Sequence, residues 1–311
     1  MIWKEFKALG TDIVIMADLK AEQENILLEA EQEILNFEKR FSRFLADSEL
    51  SKFNNYSNNN QEASASMIEL LTLAKYYYSK TKGIFDPTII SSLEAIGYNQ
   101  SFAEMKSSTA EINIKELQEN FLTRSKFEDL KIVGKKVSCP ANFKIDLGGI
   151  GKGYIVDLIS QKFFSNLENY WISAGGDILI SGQQDSASNW KVEVQNPLQP
   201  EQNSFVIDTQ GKKVGIATSG IIKRGGLSGN FAWHHLIDPQ TGLPVINDIL
   251  SVTVISSSAV KADVLAKTVL IMGEVAGLNF LESEIDSAGI IFTKNNEPII
   301  SERAHLYLKN I

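Results

Sequence analysis

From residue 131 onward, the chain is dominated by short apolar runs rich in β-branched residues, and only two helical patterns interrupt them. A parallel sheet needs a long crossover, usually a helix, between successive strands. Here strands and helices are mixed without a regular β-α-β alternation. The sequence therefore predicts an α+β fold rather than a doubly wound sheet. We expect one domain over residues 1–311, with a helical N-terminal lobe and a β-rich lobe.

Several elements of this fold can be placed from hydrophobic periodicity. Residues 11–17 (TDIVIMA) predict a strand, and residues 21–41 predict an amphipathic helix. The polar segment 54–66 is typical of a loop. Its last residue, Ser66, is a candidate N-cap for a second helix over 67–81. Further along, the patterns predict helices at about 151–165 and 259–272.

Composition excludes several classes of function. The net charge is −8 and there is no block of Lys and Arg, so a general nucleic-acid binder is not expected. The single cysteine, Cys139, permits neither an internal disulfide nor a cysteine-based zinc site, and we interpret it as structural. No apolar run is long enough for a transmembrane helix. The N-terminus lacks the pattern of an export signal, which predicts a cytoplasmic protein.

A glycine-rich loop with one lysine, DLGGIGKGY at 146–154, is the first candidate for chemistry. A predicted strand (FKIDL) runs into it, and a predicted helix follows. Glycines let a ligand approach the backbone, and a helix N-terminus with Lys152 beside it favours an anion. The spacing differs from the Walker pattern. The loop is either a phosphate site or a tight turn with a solvated lysine.

Three other segments also allow two interpretations. AGGDI (174–178) is a hairpin turn or bulge, or a second place where a ligand approaches the backbone. ATSG (217–220) forms a turn or offers hydroxyls to a phosphate. His234 and His235 follow each other on a predicted strand, so they face opposite ways and only one can serve a given site. That histidine is a general base or a structural residue, and a shared zinc ion is disfavoured.

Asp263 and Lys267 are four residues apart on the predicted helix 259–272, and so they share one face. They form an ordinary surface ion pair, or they face a pocket, since the rest of this helix is apolar.

These segments, in this order, resemble the FAD:protein FMN transferases, the ApbE family, over nearly the whole chain. The resemblance rests on the following sequences: LGT (9–11), SRF (42–44), DSELSKFN (47–54), GIFDPT (83–88), DLGGIGKGY (146–154), AGGDI (174–178), ATSG (217–220), HLIDPQTGLPV (235–245) and the Ala-Asp helix that ends at Met272.

The resemblance implies an activity. Members cleave the pyrophosphate of FAD, transfer FMN to a Thr or Ser hydroxyl of an acceptor protein and release AMP, with help from Mg²⁺. FAD is then expected in the cleft between the two lobes. Two alternatives are a protein that binds FAD with weak or no transfer, and an FAD pyrophosphatase that yields FMN and AMP.

The resemblance also assigns roles to residues of this chain. It gives His235 as general base, Lys152 as a ligand of the diphosphate, and Asp263 with the Gly149 carbonyl as metal ligands. Phe44 falls at a position near the flavin ring. The full set of expected FAD-contacting residues is Leu9, Phe44, Asn54, Ile84, Phe85, Asp86, Asp146, Gly148, Gly149, Lys152, Gly175, Gly176, Asp177, Thr218, Ser219, His235 and Ile237.

One position departs from the family pattern Ala-Asp-x-x-x-Thr, in which Asp and Thr both bind Mg²⁺. Lys267 stands where the threonine is expected, and Thr268 comes one residue late. A charged lysine has donors only and cannot bind a metal. Three outcomes follow: a metal binds with Lys267 displaced, the ammonium replaces the metal, or FAD binds without turnover.

Overall fold

Strands and helices follow one another irregularly along the chain. The computed structural model describes residues 1–55, 60–98, 114–222, 225–228, 231–295 and 297–309. Its strands are β1 (Ile2–Ala8), β2 (Thr11–Ala17), β3 (Gln61–Glu62), β4 (Lys131–Val133), β5 (Lys136–Ser138), β6 (Tyr170–Ala174), β7 (Asp177–Ser181), β8 (Lys191–Asn196), β9 (Gln199–Asp208), β10 (Val214–Gly220), β11 (Gly225–Ser228), β12 (Phe231–His234), β13 (Ile249–Ser256), β14 (Ala288–Thr293), β15 (Pro298–Ile300) and β16 (Leu308–Lys309). Its α-helices are α1 (Asn25–Phe41), α2 (Glu49–Asn55), α3 (Ala65–Lys80), α4 (Ile90–Ala95), α5 (Ile114–Leu122), α6 (Gly151–Phe163), α7 (Ala259–Met272) and α8 (Glu274–Ser283).

The largest sheet has the strand order β1-β2-β6-β7-β10-β13-β14-β15, and each neighbouring pair is antiparallel. Every residue of β13 and β14 is buried, so both faces of the sheet are covered at these strands. Helix α7 packs against β10 and β13. Helices and antiparallel strands in this arrangement confirm the α+β class.

The chain divides into two compact units. The first consists of Met1–Glu38, Lys152–Ile222 and Asn247–Ile311, and the second of Lys39–Gly151 and Lys223–Ile246. The first unit contains the eight-stranded sheet, α7 and α8. The second contains α2 to α5 and the small sheets β3-β5-β4 and β11-β12.

Each unit has its own apolar core. In the first unit, side chains from the central sheet pack with those of β8 and β9, and Ile180, Ile207 and Ile290 are fully buried. In the second, Leu93 and Ile96 pack with Ile237. Among the described residues, none of the helices combines the length and the apolar character needed to cross a membrane.

The periodic elements agree with the sequence patterns, and one cap does not. Strand β2 and helix α7 have the predicted bounds, while α1 begins at Asn25. The N-cap of α3 is Ser64 and not Ser66, because the Ser64 hydroxyl accepts a hydrogen bond from the Met67 N–H (3.2 Å). This serine satisfies one of the N–H groups that a helix start leaves unpaired.

The prediction of a strand over FKIDL is wrong, since residues 143–147 are irregular. The side chain of Asn54 takes the place of a neighbouring strand. Its Oδ1 accepts from the Ile145 N–H (2.9 Å), and its Nδ2 donates to the Ile145 carbonyl (2.8 Å). The next N–H, of Asp146, donates to the Pro87 carbonyl (2.8 Å). The backbone groups before the glycine loop are thus satisfied without a sheet.

Candidate functional site

Two tight turns lie side by side at one end of the large sheet. Leu9 and Gly10 connect β1 to β2 with φ of +56° and +66°, and Gly175 and Gly176 connect β6 to β7 with φ of +63° and +95°. The Gly175 N–H donates to the carbonyl of Asp12 (3.1 Å) on the neighbouring strand. Glycine adopts positive φ readily, whereas for leucine it is uncommon. The hairpin interpretation of AGGDI is therefore confirmed.

The hydroxyls of the ATSG segment lie on β10 in the same sheet. Ile216 is opposite Ile178 of β7, so Thr218 comes two residues further toward the end that carries the glycine turn. Thr218 is exposed, and its hydroxyl lies 2.8 Å from the Thr253 hydroxyl. Ser219 is buried. This sheet end thus gathers the expected FAD-contacting residues of the first unit.

Next to this sheet end, two acids and two lysines form what we call the acid–lysine cluster, which consists of Lys152, Asp177, Asp263 and Lys267. The ammonium of Lys152, in the first turn of α6, contacts Oδ2 of Asp177 at the start of β7. On α7, the ammonium of Lys267 contacts Oδ1 of Asp263. Each carboxylate side chain is only 2% exposed. Asp263 and Lys267 are therefore a buried pair and not a surface pair.

The electrostatics of this cluster are nearly balanced. Burial, and then the neighbouring Asp263 carboxylate, raise the pKa of Asp177, while the Lys152 and Lys267 ammonium groups oppose this shift. The formal charges of two carboxylates and two ammonium groups cancel. Oδ2 of Asp263 is buried and has no hydrogen-bond partner among the residues that the structure describes.

The cluster does not fit the Mg²⁺ ion that the family resemblance implies. Mg²⁺ requires near-octahedral coordination by oxygen. Here one oxygen of Asp263 is already held by an ammonium group, and the described residues contain no group of three or more His, Cys, Asp or Glu placed to hold a metal. Gly149, the other expected ligand, lies in the turn at 148–150.

In the second unit, Asp146 organises the glycine loop. Its Oδ1 accepts from the Gly148 N–H (2.7 Å), and its Oδ2 lies 3.2 Å from Nε of Arg43. A Cβ at position 148 would lie 3.0 Å from that Oδ1. The carboxylate thus fixes the turn that contains Gly148 and Gly149.

Arg43 also positions an aromatic side chain. Its guanidinium lies 4.4 Å from the ring centroid of Phe44 and 4.9 Å from that of Tyr98, and its Nη2 donates to the Tyr98 carbonyl (2.6 Å). Such cation–π contacts hold a ring in place. Phe44 remains 38% exposed, as an aromatic that stacks on a flat ligand requires.

Asp86 is engaged on both oxygens. Oδ1 accepts from the Thr88 N–H (2.8 Å) and from its hydroxyl (2.7 Å), which caps the turn after Asp86. Oδ2 lies 2.7 Å from Nη2 of Arg124, and the same Nη2 is 3.5 Å from the Pro239 carbonyl. Arg124 therefore connects the Phe-Asp-Pro turn to the Asp-Pro turn that follows the histidines.

Other expected contact residues of this unit have packing roles in the structure. Phe85 and Ile237 are buried, and Ile84 is half-buried. The Phe85 N–H donates to the Thr81 hydroxyl (3.0 Å). The Asn54 side chain is used by Ile145, as described above.

The two histidines are in different environments. Strand β12 ends at His234, whose Nε2 lies 3.0 Å from the Val245 carbonyl and whose Nδ1 accepts from the Leu236 N–H (3.3 Å). These partners fix a neutral ring with the proton on Nε2, and burial lowers the pKa of His234. His234 is thus a structural histidine. His235 lies beyond the strand and is half-buried, and it stays the predicted base.

Two arginines that organise the site, Arg43 and Arg124, were not predicted as site residues. Their partners gave a signal: Asp86 and Asp146 lie among apolar residues, and a buried carboxylate needs a cation or several donors. Which of the 30 Lys and Arg residues supplies that cation is a tertiary fact that one sequence does not reveal.

The chain is similar in sequence to known proteins over most of its length. A model of the ApbE family matches residues 9–292. A FAD:protein FMN transferase of Vibrio cholerae is 27% identical over 269 residues, which cover 85% of this chain and 78% of that protein. One of Buchnera aphidicola is 30% identical over 242 residues, covering 76% of this chain and 69% of that protein.

Solved structures share the fold. The ApbE protein of Thermotoga maritima superposes with a TM-score of 0.86 at 25% identity, over 99% of both chains. The flavin transferase ApbE of Vibrio cholerae superposes with a TM-score of 0.84 at 24% identity, again over 99% of both chains.

Proposed function

The chain belongs to the ApbE family, and we propose that it transfers FMN from FAD to a Thr or Ser hydroxyl of an acceptor protein, releasing AMP. The observation that carries this proposal is the extent of the family match. Residues 9–292 include every residue that the resemblance assigns to the site, from Leu9 to Lys267. Relatives that cover most of this chain bear the name FAD:protein FMN transferase.

The proposed reaction has simple requirements. The acceptor hydroxyl oxygen forms a bond to the phosphorus of the FMN half, and the bond from that phosphorus to the bridging oxygen breaks. AMP leaves with the bridging oxygen, and the hydroxyl proton passes to a base. Such a transfer depends on positioning and on positive groups that stabilise the phosphate oxygens.

Lys152 is our candidate for one of these positive groups. It lies in the first turn of α6, where the helix dipole also favours an anion. Asp177 holds the ammonium and is itself 2% exposed, so the position of the lysine is fixed before the substrate arrives. This held ammonium in the first turn of a helix supports Lys152 as a ligand of the diphosphate.

His235 is our candidate base. Of the two adjacent histidines, His234 uses both ring nitrogens for the backbone, and its neutral form is fixed. The family resemblance assigns the base to His235, which would accept the proton of the acceptor hydroxyl.

The test is an incubation of the purified protein with FAD and an unmodified acceptor domain that carries the Thr of a flavinylation motif. The matched control acceptor has Val at that Thr. We expect AMP and a fluorescent, covalently flavinylated acceptor only with Thr. AMP and free FMN formed equally with both acceptors would instead indicate a pyrophosphatase. FAD that binds but stays intact would indicate a flavin-binding protein, for which the lysine on Asp263 gives a reason.

A further inference from the structure

We propose that Lys267 is a built-in cation, and that its ammonium group on Asp263 occupies the place of a divalent metal, so that this site works without one. The inference rests on the proposed function for its chemistry and on the acid–lysine cluster for its geometry. It explains why the donor set of the cluster does not suit Mg²⁺.

The position of the ammonium is well defined. It contacts Oδ1 of Asp263 and lies 3.4 Å from the carbonyl oxygen of the same residue, one helical turn earlier. The Lys267 side chain is only 15% exposed. Among the described residues, these contacts use two of the three N–H groups of the ammonium, which leaves one N–H for an oxygen of a ligand.

The nearest hydroxyl cannot serve as a substitute metal ligand. Thr268 is fully buried, and its Oγ1 donates to the Val264 carbonyl (2.8 Å) within α7. Its hydroxyl is therefore directed along its own helix. The neighbouring residues Ala266 and Val269 are also fully buried and have apolar side chains. Few side chains of this helix could therefore supply an oxygen ligand to a metal near Asp263.

Charge gives an independent argument. The cluster is formally neutral with Lys152 and Lys267 charged, and its carboxylates are buried. A divalent ion would add two positive charges to a neutral, poorly solvated site or would have to displace Lys267 from Asp263. Both events are unfavourable, because a displaced ammonium would give up its partner in a region of low dielectric.

The first experiment measures metal binding directly. Mn²⁺ is titrated into wild type, Lys267→Thr and Lys261→Thr, and bound Mn²⁺ is followed by electron paramagnetic resonance and by thermal shift. Lys261→Thr is the matched control: it removes a lysine of the same helix that pairs with Glu284 and Asp286, away from the cluster. We expect no saturable binding up to millimolar Mn²⁺ in wild type and in Lys261→Thr. In Lys267→Thr, the cluster keeps two carboxylates and only one ammonium group. This variant should bind one equivalent of Mn²⁺ and be stabilised by it.

One equivalent of Mn²⁺ bound by wild type would overturn the proposal, as would the absence of binding in both wild type and Lys267→Thr. Neither result depends on whether the protein turns over FAD.

The second experiment follows AMP release with the Thr acceptor in EDTA and in Mg²⁺. We expect wild type to be equally active in both, Lys267→Arg to keep activity in EDTA, and Lys267→Gln to lose about a hundredfold, the effect of removing one charge-stabilising donor. Activity of wild type that disappears in EDTA and returns with Mg²⁺ would overturn the proposal. Inactivity of wild type under both conditions would contradict the proposed transfer, and the Mn²⁺ titration would still decide what occupies the site.

Discussion

Nη2 of Arg124 lies 2.7 Å from Oδ2 of Asp86, and the two side chains are only 16% and 4% exposed. The pair ties together the turn after Asp86 and the turn at Pro239, because Arg124 also approaches the Pro239 carbonyl. Residues expected to contact FAD lie beside both turns. This ion pair is therefore part of the framework that shapes the second unit.

Replacing Arg124 by Gln should be strongly destabilising. Asp86 would stay buried without its cation, which typically lowers the free energy of unfolding by roughly 3–5 kcal/mol. The measurement is urea denaturation. The double variant Arg124→Gln/Asp86→Asn should recover much of this loss, since no uncompensated charge remains. A double variant as unstable as the single one would show that the charge of Asp86 is not the cause.

Asp157 should produce a measurable pH dependence of stability. Its carboxylate accepts hydrogen bonds from the N–H groups of Ala259 and Val260 (2.9 Å each) at the start of α7, yet burial raises the pKa of Asp157 to about 6. The folded protein then holds this proton more tightly than the unfolded chain. The resulting stabilisation is fully present only below the unfolded pKa of about 4, and it is lost as the pH rises through about 6.

The difference in unfolding free energy between wild type and Asp157→Asn isolates this effect, because other carboxyl groups titrate in both proteins. Between pH 4 and 6, we expect wild type to lose roughly 2 kcal/mol relative to the variant, out of the roughly 3 kcal/mol that a two-unit pKa shift is worth in total. A difference that stays constant over this range would mean that Asp157 titrates normally.

Alanine substitutions of the two histidines should have different effects, one on activity and the other on stability. His235→Ala should slow AMP release with the Thr acceptor by about a hundredfold or more, as expected for loss of a general base. His234→Ala should instead lower the free energy of unfolding by roughly 1–3 kcal/mol, since it leaves the buried Leu236 N–H and Val245 carbonyl without partners. Single-turnover assays and urea denaturation of both variants provide the comparison. If His234→Ala slowed AMP release and His235→Ala lowered only the stability, His234 would be the functional residue.

Gly153 should not tolerate a side chain. A Cβ at this position in α6 would lie 2.5 Å from Cα of Val260 at the start of α7, closer than packed atoms allow. Gly153→Ala should therefore cost roughly 1–3 kcal/mol, as overpacking usually does. Gln161→Ala, an exposed position on the same helix, is the control and should change stability by less than about 0.5 kcal/mol. A stable Gly153→Ala variant would mean that the two helices can move apart.

The sequence was informative where the local pattern determines the structure. Strand β2 could be placed because its side chains alternate with the period of a strand, and helix α7 could be placed because it is a long, nearly continuous apolar run. The same reasoning failed at FKIDL, where the apolar pattern is that of a strand. There the partner is the Asn54 side chain, 91 residues away in sequence. Hydrophobic periodicity carries no information about such a contact.

In the candidate site, too, local features could be predicted from the sequence and contacts between distant residues could not. The four-residue spacing of Asp263 and Lys267 predicted their pairing, because it depends only on helix geometry. Whether that pair is buried depends on how α7 packs against the sheet, and the approach of Asp177 depends on strand β7; neither could be predicted. Arg43 and Arg124 remained hidden because a salt bridge between distant residues leaves no local pattern.

The strand order of the large sheet also has a consequence for biosynthesis. Strand β2 pairs on one side with β1 and on the other with β6, where Ile13 is opposite Ala174. The nascent chain must therefore carry the β1–β2 hairpin, with one edge of β2 unpaired, while residues 18–169 are translated. Unpaired apolar edges are prone to wrong pairing with other chains. Ribosome pausing or truncation before β6 should thus be the stage at which this protein depends most on chaperones.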